Sequence, residues 1–281
     1  MHIAEAIRQA GQSIQHQLAL DISEANVEAN LLCQHLFNVN RAWLISHAND
    51  ALEANQQSAF EALVQRRLNG EPIAYILGSR EFYGLALKTT PATLIPRPDT
   101  ETLVEAALVK IPQNASFNIL DLGTGTGAIA LAIASQRPQA NVTAVDASNE
   151  ALKVAAENAE NLHLNRVKFI QSNWFSALAG EKFDVIVSNP PYIAQDDEHL
   201  KQGDLRFEPI SALASGADGL DDIRKIIQDA PNYLNPNGWL MLEHGYDQAD
   251  AVAALLKERG FSQIDHAIDI AGIRRVTFGA I

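Results

Sequence analysis

Residues 118 to 127 read Asn118-Ile119-Leu120-Asp121-Leu122-Gly123-Thr124-Gly125-Thr126-Gly127, and an apolar, alanine-rich stretch continues to Gln136. A short apolar run before a cluster of glycines reads as a buried strand, and the alanine-rich stretch after the glycines has the composition of a helix. Glycine tolerates backbone angles that other residues avoid and lets the main chain come close to a ligand. From Phe117 onward the same alternation continues. Strands are expected at 118–122, 142–146, 167–171, 183–188, 239–243, 264–268 and 275–278. Helices are expected at 127–136, 150–161, 221–234 and 247–259. Such alternation predicts a doubly wound, mostly parallel α/β sheet, in which ligands bind at the carboxyl ends of the strands.

Gly123, Gly125 and Ala128 also satisfy the dinucleotide pattern G-x-G-x-x-G/A, so the loop alone fits either a nicotinamide cofactor or S-adenosylmethionine. Asp146 closes the second strand at the distance from the glycines where an acid accepts hydrogen bonds from ribose hydroxyls. Together they point to a cofactor that contains a nucleoside. The third strand ends in Asn173-Trp174. The Asn173 amide can accept from and donate to an adenine edge, and Trp174 can supply an aromatic wall or simply fill core.

Phe183-Asp-Val-Ile-Val-Ser188 is a strand that stops at Asn189-Pro190-Pro191-Tyr192. Neither proline can donate to a sheet ladder, and Pro191 biases Pro190 toward an extended conformation. The Asn189 side-chain oxygen and the Pro190 carbonyl are two acceptors on one stiff turn, suited to the two hydrogens of a planar amino group. Tyr192 can stack on the flat face of that group. A carboxamide or the exocyclic amine of a base is the natural guest.

The first 72 residues read as a helical domain, from Ile3, Ile7 and Ile14, then Val27, Leu31 and Leu32, then Phe60, Leu63, Val64 and Leu68 at helical spacing. Ser23-Glu24 is a plausible start for the second helix, and Gly70 a stop for the last. His16, His35 and His47 share no metal-ligand spacing with carboxylates, so the domain reads as a binding or positioning module for substrate recognition. Residues 73–92 read as a β-hairpin linker, and 93–281 as the catalytic domain. The stiff segment Pro91 to Glu101 carries Arg97, and Pro98 with Asp99 and Glu101 starts a helix running to Leu108.

A net charge of −13 over 281 residues argues against tracking a phosphate backbone, which needs clustered Lys and Arg. The single cysteine, Cys33, excludes an internal disulfide, and no apolar run reaches the length of a membrane span. No signal-peptide pattern opens the chain, so a reducing cytoplasmic location is expected.

The order of Asp121 to Gly127, Asp146, Asn173-Trp174 and Asn189 to Tyr192 resembles the class I S-adenosylmethionine-dependent methyltransferases, with their Rossmann-like seven-stranded sheet. Two groups in that class share Asn-Pro-Pro-Tyr: adenine-N6 DNA methyltransferases and protein glutamine-N5 methyltransferases. Leu94-Ile-Pro-Arg-Pro-Asp-Thr-Glu101, Arg206-Phe-Glu-Pro209 and the helical N-terminal domain are similar to one family, the peptide chain release factor N5-glutamine methyltransferases (PrmC/HemK family). Asn173 stands where many of these enzymes carry Asp. The resemblance implies methylation of the glutamine in the Gly-Gly-Gln loop of class 1 release factors, a step that bears on translation termination. It implies no metal, and S-adenosylmethionine held by Asp121, Gly123, Thr124, Gly125, Thr126, Gly127, Asp146, Asn173, Trp174 and Asn189. It places catalysis on Asn189, Pro190 and Tyr192 and substrate contacts on Asn189, Pro190, Pro191 and Tyr192, and His244 keeps a structural role. The alternatives are a ribosomal-protein glutamine methyltransferase, an adenine-N6 enzyme, a non-enzymatic adaptor on the same scaffold and a nicotinamide dehydrogenase.

Overall fold

The computed structural model describes residues 1–281, which form two compact units, Met1–Gly78 and Ser79–Ile281. The first contains α1 (Ile3–Leu18), α2 (Ile22–Phe37), α3 (Arg41–Ser46), α4 (Ala54–Leu68) and α5 (Ile73–Leu77). Asp21 starts α2 by accepting from the Ser23 backbone N–H at 2.7 Å, which places the cap two residues before the expected one. The buried face of α2 is Ala25, Glu28, Ala29, Leu32 and Cys33, while Val27 is 57% exposed. Small residues win that face because α1 packs close: a Cβ on Gly11 would meet Asn26 Oδ1 at 2.4 Å. Glu28 is balanced by Arg67 of α4, whose Nε and Nη2 donate to its two oxygens at 2.8 and 3.0 Å. Both side chains are buried, so removing either would leave an uncompensated charge, at a cost of about 3–5 kcal/mol.

Residues 73–77 are helical rather than the first strand of a hairpin. Ile73-Ala-Tyr-Ile-Leu77 is a short apolar run, where strand and helix cannot be separated by periodicity alone. Pro72 caps its start, and Gly78, at φ 71°, takes the left-handed conformation that ends it. The expected 73–92 linker is therefore divided. Its hairpin, β1 (Ser79–Phe82) with β2 (Leu85–Lys88), belongs to the second unit.

In that unit a 3-10 turn at Pro98–Thr100 leads into α6 (Glu101–Lys110). Next come β3 (Asn118–Leu122), α7 (Ala128–Gln136), β4 (Asn141–Asp146), α8 (Asn149–Asn161), β5 (Lys168–Gln171) and β6 (Phe183–Ser188). The chain then passes through α9 (Asp221–Asp229), β7 (Leu234–Glu243), α10 (Ala249–Arg259), β8 (Ser262–Ile268) and β9 (Arg274–Ala280). Helix α9 is shorter than expected because Pro231 lacks the N–H a continuing helix requires, and Leu234 already belongs to β7. The strand order is β5-β4-β3-β6-β7-β9-β8, parallel from β5 to β7, with β9 antiparallel to both β7 and β8.

The two-residue period of the strands divides the core cleanly. Ile119, Val185, Val187 and Met241 pack with α6 and α7 on one face. Leu120, Leu122, Ile186, Leu240 and Leu242 pack with α9 and α10 on the other. Each such side chain contributes roughly 1.5–3 kcal/mol on burial, so register is fixed on both faces at once. No helix is long and apolar enough to cross a membrane.

Candidate active site

Beyond β3 the chain moves outward through β4 to β5, then returns to lay β6 on the other side of β3. The carboxyl ends of β3 and β6 thus flank the point where the sheet order reverses, the place where open α/β sheets leave a crevice. Leu122 pairs with Ser188 there, so Gly123 and Asn189 emerge side by side. In the glycine turn, φ is 71° at Gly123, 55° at Gly125 and 83° at Gly127. A Cβ on Gly127 would also press on Leu131 Cδ1 at 3.0 Å and Ala155 Cβ at 3.2 Å.

Asp121 lies behind the turn, fully buried, and lines no cavity. Its Oδ2 accepts from Thr124 Oγ1 at 2.6 Å and from the Ala130 N–H at 3.3 Å, while Oδ1 has no partner. Burial pushes its carboxyl up to about 7 despite those two donors. Thr124 and Thr126 are buried as well, and Asn158 of α8 donates to the Thr126 carbonyl at 2.9 Å and to the Lys88 carbonyl at 3.1 Å. Asp121, Thr124, Thr126 and Gly127 shape the turn from behind; Gly123 and Gly125 present its open side.

That side borders a cavity of about 530 Å³ whose wall includes Asp146, Ser172, Asn173, Trp174 and Asn189. Asp146 Oδ2 accepts from the Gly125 N–H at 2.9 Å and Oδ1 from the Ser148 N–H at 2.8 Å. Burial raises its pKa and these donors pull the other way. Trp174 stands both in the core and on the cavity wall. Its ring packs on the second core cluster and beneath Gly123, where a Cβ would meet it at 3.4 Å, and it still faces the cavity. Its indole N–H donates to Asp222 Oδ1 at 3.3 Å. Asp222 is a wall residue that the sequence did not single out, fixed further by Ser215 Oγ at 2.7 Å and Lys225 Nζ at 2.9 Å. Asn173 is exposed at the rim. The volume, the bare glycine turn, a carboxylate, an aromatic ring and an amide suit an adenosine-containing group.

Asn189 also lines a second, smaller cavity of about 60 Å³, together with Leu94, Arg97, Tyr192, Ile193, Leu205, Ala212 and Leu213. Its Nδ2 donates to Thr100 Oγ1 at 3.1 Å, which turns the amide oxygen away from Thr100. Pro191 lines the large cavity, and Pro190 is buried and lines neither. Tyr192 is held from below, where Gln248 Nε2 donates to its carbonyl at 3.0 Å and a Cβ on Gly219 would collide with that oxygen at 2.2 Å. Burial raises the Tyr192 phenol's pKa, keeping it neutral.

The two segments whose roles the sequence left open meet each other. Glu208 is ion-paired with Arg97, and its Oε2 accepts from the Ile95 N–H at 2.9 Å. This clasp joins the 91–101 segment to the loop after β6, and Leu94 and Ala212 from its two arms line both cavities. His244 is buried between the Gly245 carbonyl at 2.9 Å and Thr277 Oγ1 at 2.7 Å, away from both cavity walls.

The family model described as "Methyltransferase domain" matches residues 113–275, and "PrmC N-terminal domain" matches residues 5–78. The release factor glutamine methyltransferase of Xylella fastidiosa (strain Temecula1) is 51% identical over 253 residues, 90% of this chain and 92% of that protein. The chain belongs to the release factor glutamine methyltransferase family. The Vibrio cholerae member is 49% identical over 278 residues, 99% of this chain and 96% of its own. Among solved structures, a Pyrococcus furiosus methyltransferase superposes with a TM-score of 0.54 at 20% identity, covering 81% of this chain and 98% of that one. A Thermus thermophilus 16S rRNA methyltransferase gives 0.55 at 21% identity over 72% of this chain and 49% of its own. These two likenesses establish the class I methyltransferase fold.

Asp146 ends β4 on the wall of the large cavity, where its carboxylate is placed to accept from a ribose diol. Asp146→Ala should then weaken S-adenosylmethionine binding by about 1.5–3 kcal/mol, the worth of hydrogen bonds to a charged group. Isothermal calorimetry checks this; unchanged affinity in a folded variant removes Asp146 from the site.

Proposed function

We propose that this enzyme transfers a methyl group from S-adenosylmethionine to the side-chain nitrogen (N5) of the glutamine in the Gly-Gly-Gln loop of class 1 peptide chain release factors. One observation carries the reading: Asn189 stands in a wall common to a cofactor-sized cavity and a neighbouring one with room for only a few heavy groups. The large cavity takes the cofactor, with Gly123 and Gly125 against its methionine portion, Asp146 on the ribose, and Asn173 and Trp174 about the adenine. The small one matches a carboxamide in size and is well short of a purine. A net charge of −13 likewise offers no track for a nucleic-acid backbone.

S-adenosylmethionine supplies an electrophilic methyl on a sulfonium. The acceptor nitrogen is a poor nucleophile, because its lone pair is shared with the amide carbonyl. Asn189 Oδ1 accepts an N–H of the amide, which raises electron density on nitrogen and aims its lone pair, while Pro190, buried and outside both cavity walls, stiffens the turn that holds Asn189. Tyr192 packs on the amide plane and prevents rotation. Holding reacting atoms about 3 Å apart and aligned removes several kcal/mol of barrier. As the N–CH3 bond forms the S–CH3 bond breaks and the sulfur departs as a neutral thioether; the methylated nitrogen is then positively charged and acidic, so its proton leaves to solvent without a dedicated base. Leu94, Leu205 and Leu213 keep the amide dry, which strengthens those hydrogen bonds. A cytoplasmic place of action goes with a substrate that works on ribosomes.

Asn189→Ala is expected to leave cofactor affinity nearly intact and to lower methyl transfer to a release factor about 100-fold or more, as for other preorganised partners at a reacting centre. A rate near that of the parent enzyme would overturn the assignment. The helical unit, residues 1–78, is assigned to recognition of the protein substrate, since none of the residues lining either cavity lies in it. A chain beginning at Ser79 should therefore bind S-adenosylmethionine and methylate intact release factor poorly. Equal rates with and without residues 1–78 would refute that role.

A further inference from the structure

Methyl transfer requires Asn189 to keep one place beside the cofactor, yet the turn that carries it brings little with which to anchor itself. Pro190 and Pro191 have no N–H to donate to a neighbouring segment. The start of the turn is fixed by the sheet, where Ser188 pairs with Leu122. Its end is the Tyr192 carbonyl, and the group that meets that oxygen comes from the start of α10.

Gln248 opens that helix, its own carbonyl accepting from the Val252 N–H at 3.0 Å. Side chains at a helix start often accept from the first N–H groups of the same helix, but the Gln248 amide makes no such bond. It reaches away instead. Its Oε1 accepts from the Gly245 N–H at 2.8 Å, beyond the end of β7. Its Nε2 donates to the Tyr192 carbonyl at 3.0 Å, 56 positions back in the chain, and to the Asp218 carbonyl at 3.3 Å. A backbone N–H can only donate and a carbonyl can only accept, so a flipped amide would set like against like at all three contacts. Gly219, buried and at φ 78°, leaves the Tyr192 oxygen its space: a Cβ there would meet that oxygen at 2.2 Å and Gln248 Nε2 at 2.8 Å. Just beyond, the Ile193 N–H donates to the Leu213 carbonyl at 2.9 Å, and its carbonyl accepts from the Ser215 N–H at 2.8 Å.

We propose that Gln248 is a positioning residue for methyl transfer: by donating to the Tyr192 carbonyl it locks the far end of the Asn-Pro-Pro-Tyr turn and so holds Asn189 in place. The inference rests on the methyl-transfer role given to Asn189 above. The sheet fixes Ser188, Gln248 fixes Tyr192, and the two prolines restrict φ between them, so Asn189 is left little freedom to drift. Gln248 lines neither cavity, and it therefore acts on the reaction only through the turn. Its loss belongs in the rate of the chemical step and not in the affinity for either substrate.

Two variants of similar length test this in the full chain, Gln248→Met and Gln248→Glu. Gln248→Met removes the amide and should lower kcat for release-factor methylation about tenfold, with KM, S-adenosylmethionine affinity and melting temperature little changed. Gln248→Glu keeps an oxygen for the Gly245 N–H but turns a carboxylate oxygen toward two carbonyls. At mildly alkaline pH it should be at least as slow as Gln248→Met. Its kcat, taken as a ratio to the parent enzyme at each pH, should climb as the pH falls, because protonation returns an O–H that can donate to Tyr192. Gln248→Met at the parent kcat overturns the proposal. So does a loss matched by lost cofactor affinity or melting temperature, or a Gln248→Glu ratio that stays flat on acidification. Asn189→Ala assayed alongside separates the two levels. If it is inactive while Gln248→Met is normal, only the brace fails; if it is fully active, the role of Asn189 itself fails.

Discussion

The site depends on one strand pairing, β3 with β6, which brings Leu122 opposite Ser188. Ser188 is fully buried and its hydroxyl donates to the Leu122 carbonyl at 2.8 Å, tying the two strand ends together below the crevice. One residue further on, each chain leaves the sheet with its own chemistry: the glycine turn from β3, the Asn-Pro-Pro-Tyr turn from β6. A slip of one residue would invert every side chain of β6 and move Val185, Ile186 and Val187 to the wrong faces. The hydrophobic core therefore sets the distance between the glycine turn and the Asn-Pro-Pro-Tyr turn, and no local interaction at the site has to supply it.

Around that junction stand four largely buried carboxyls, Asp121, Asp146, Glu208 and Glu243, all shifted upward by burial. Three of them are met by different donor sets: Thr124 and the Ala130 N–H for Asp121, the Gly125 and Ser148 N–H groups for Asp146, and Arg97 with the Ile95 N–H for Glu208, while Glu243 Oε2 has no partner. Their work is mostly architectural. Asp121 and Asp146 fix the glycine turn, and Glu208 clasps the 91–101 segment to the loop after β6. Of the four, Asp146 is the one that lines the large cavity. A cationic sulfonium is a fitting guest for such surroundings, since each retained negative charge favours it.

The alternating strands and helices, the glycine turn, Asp146 and the proline-stiffened end of β6 were all legible in the sequence, because each rests on local backbone rules. The large cavity gathers Gly123, Gly125, Asp146, Asn173, Trp174 and Asn189 from four separate stretches of chain, as their place at successive strand ends implied. What the sequence hid is what only tertiary contact creates. Thr100 and Asn189 are 89 positions apart, Arg97 and Glu208 are 111, and nothing local marks either pair. Asp222 looks like an ordinary first-turn acid of a helix. Ile73–Leu77 misled because five apolar residues have no period to read, and Val27 because alanines, not the larger residues, face α1. The Asn-Pro-Pro-Tyr turn alone left an adenine amine and a carboxamide both open; family membership and the size of the second cavity together favour the amide.

The central claim is that the acceptor is one amide nitrogen, held by Asn189 beside the cofactor. Tandem mass spectrometry of a class 1 release factor incubated with this enzyme and S-adenosylmethionine tests it most directly. The account predicts a single added methyl on the glutamine of the Gly-Gly-Gln peptide, with fragments that place it on the side-chain nitrogen. An unmodified Gly-Gly-Gln peptide, or a methyl carried on another residue, would contradict it.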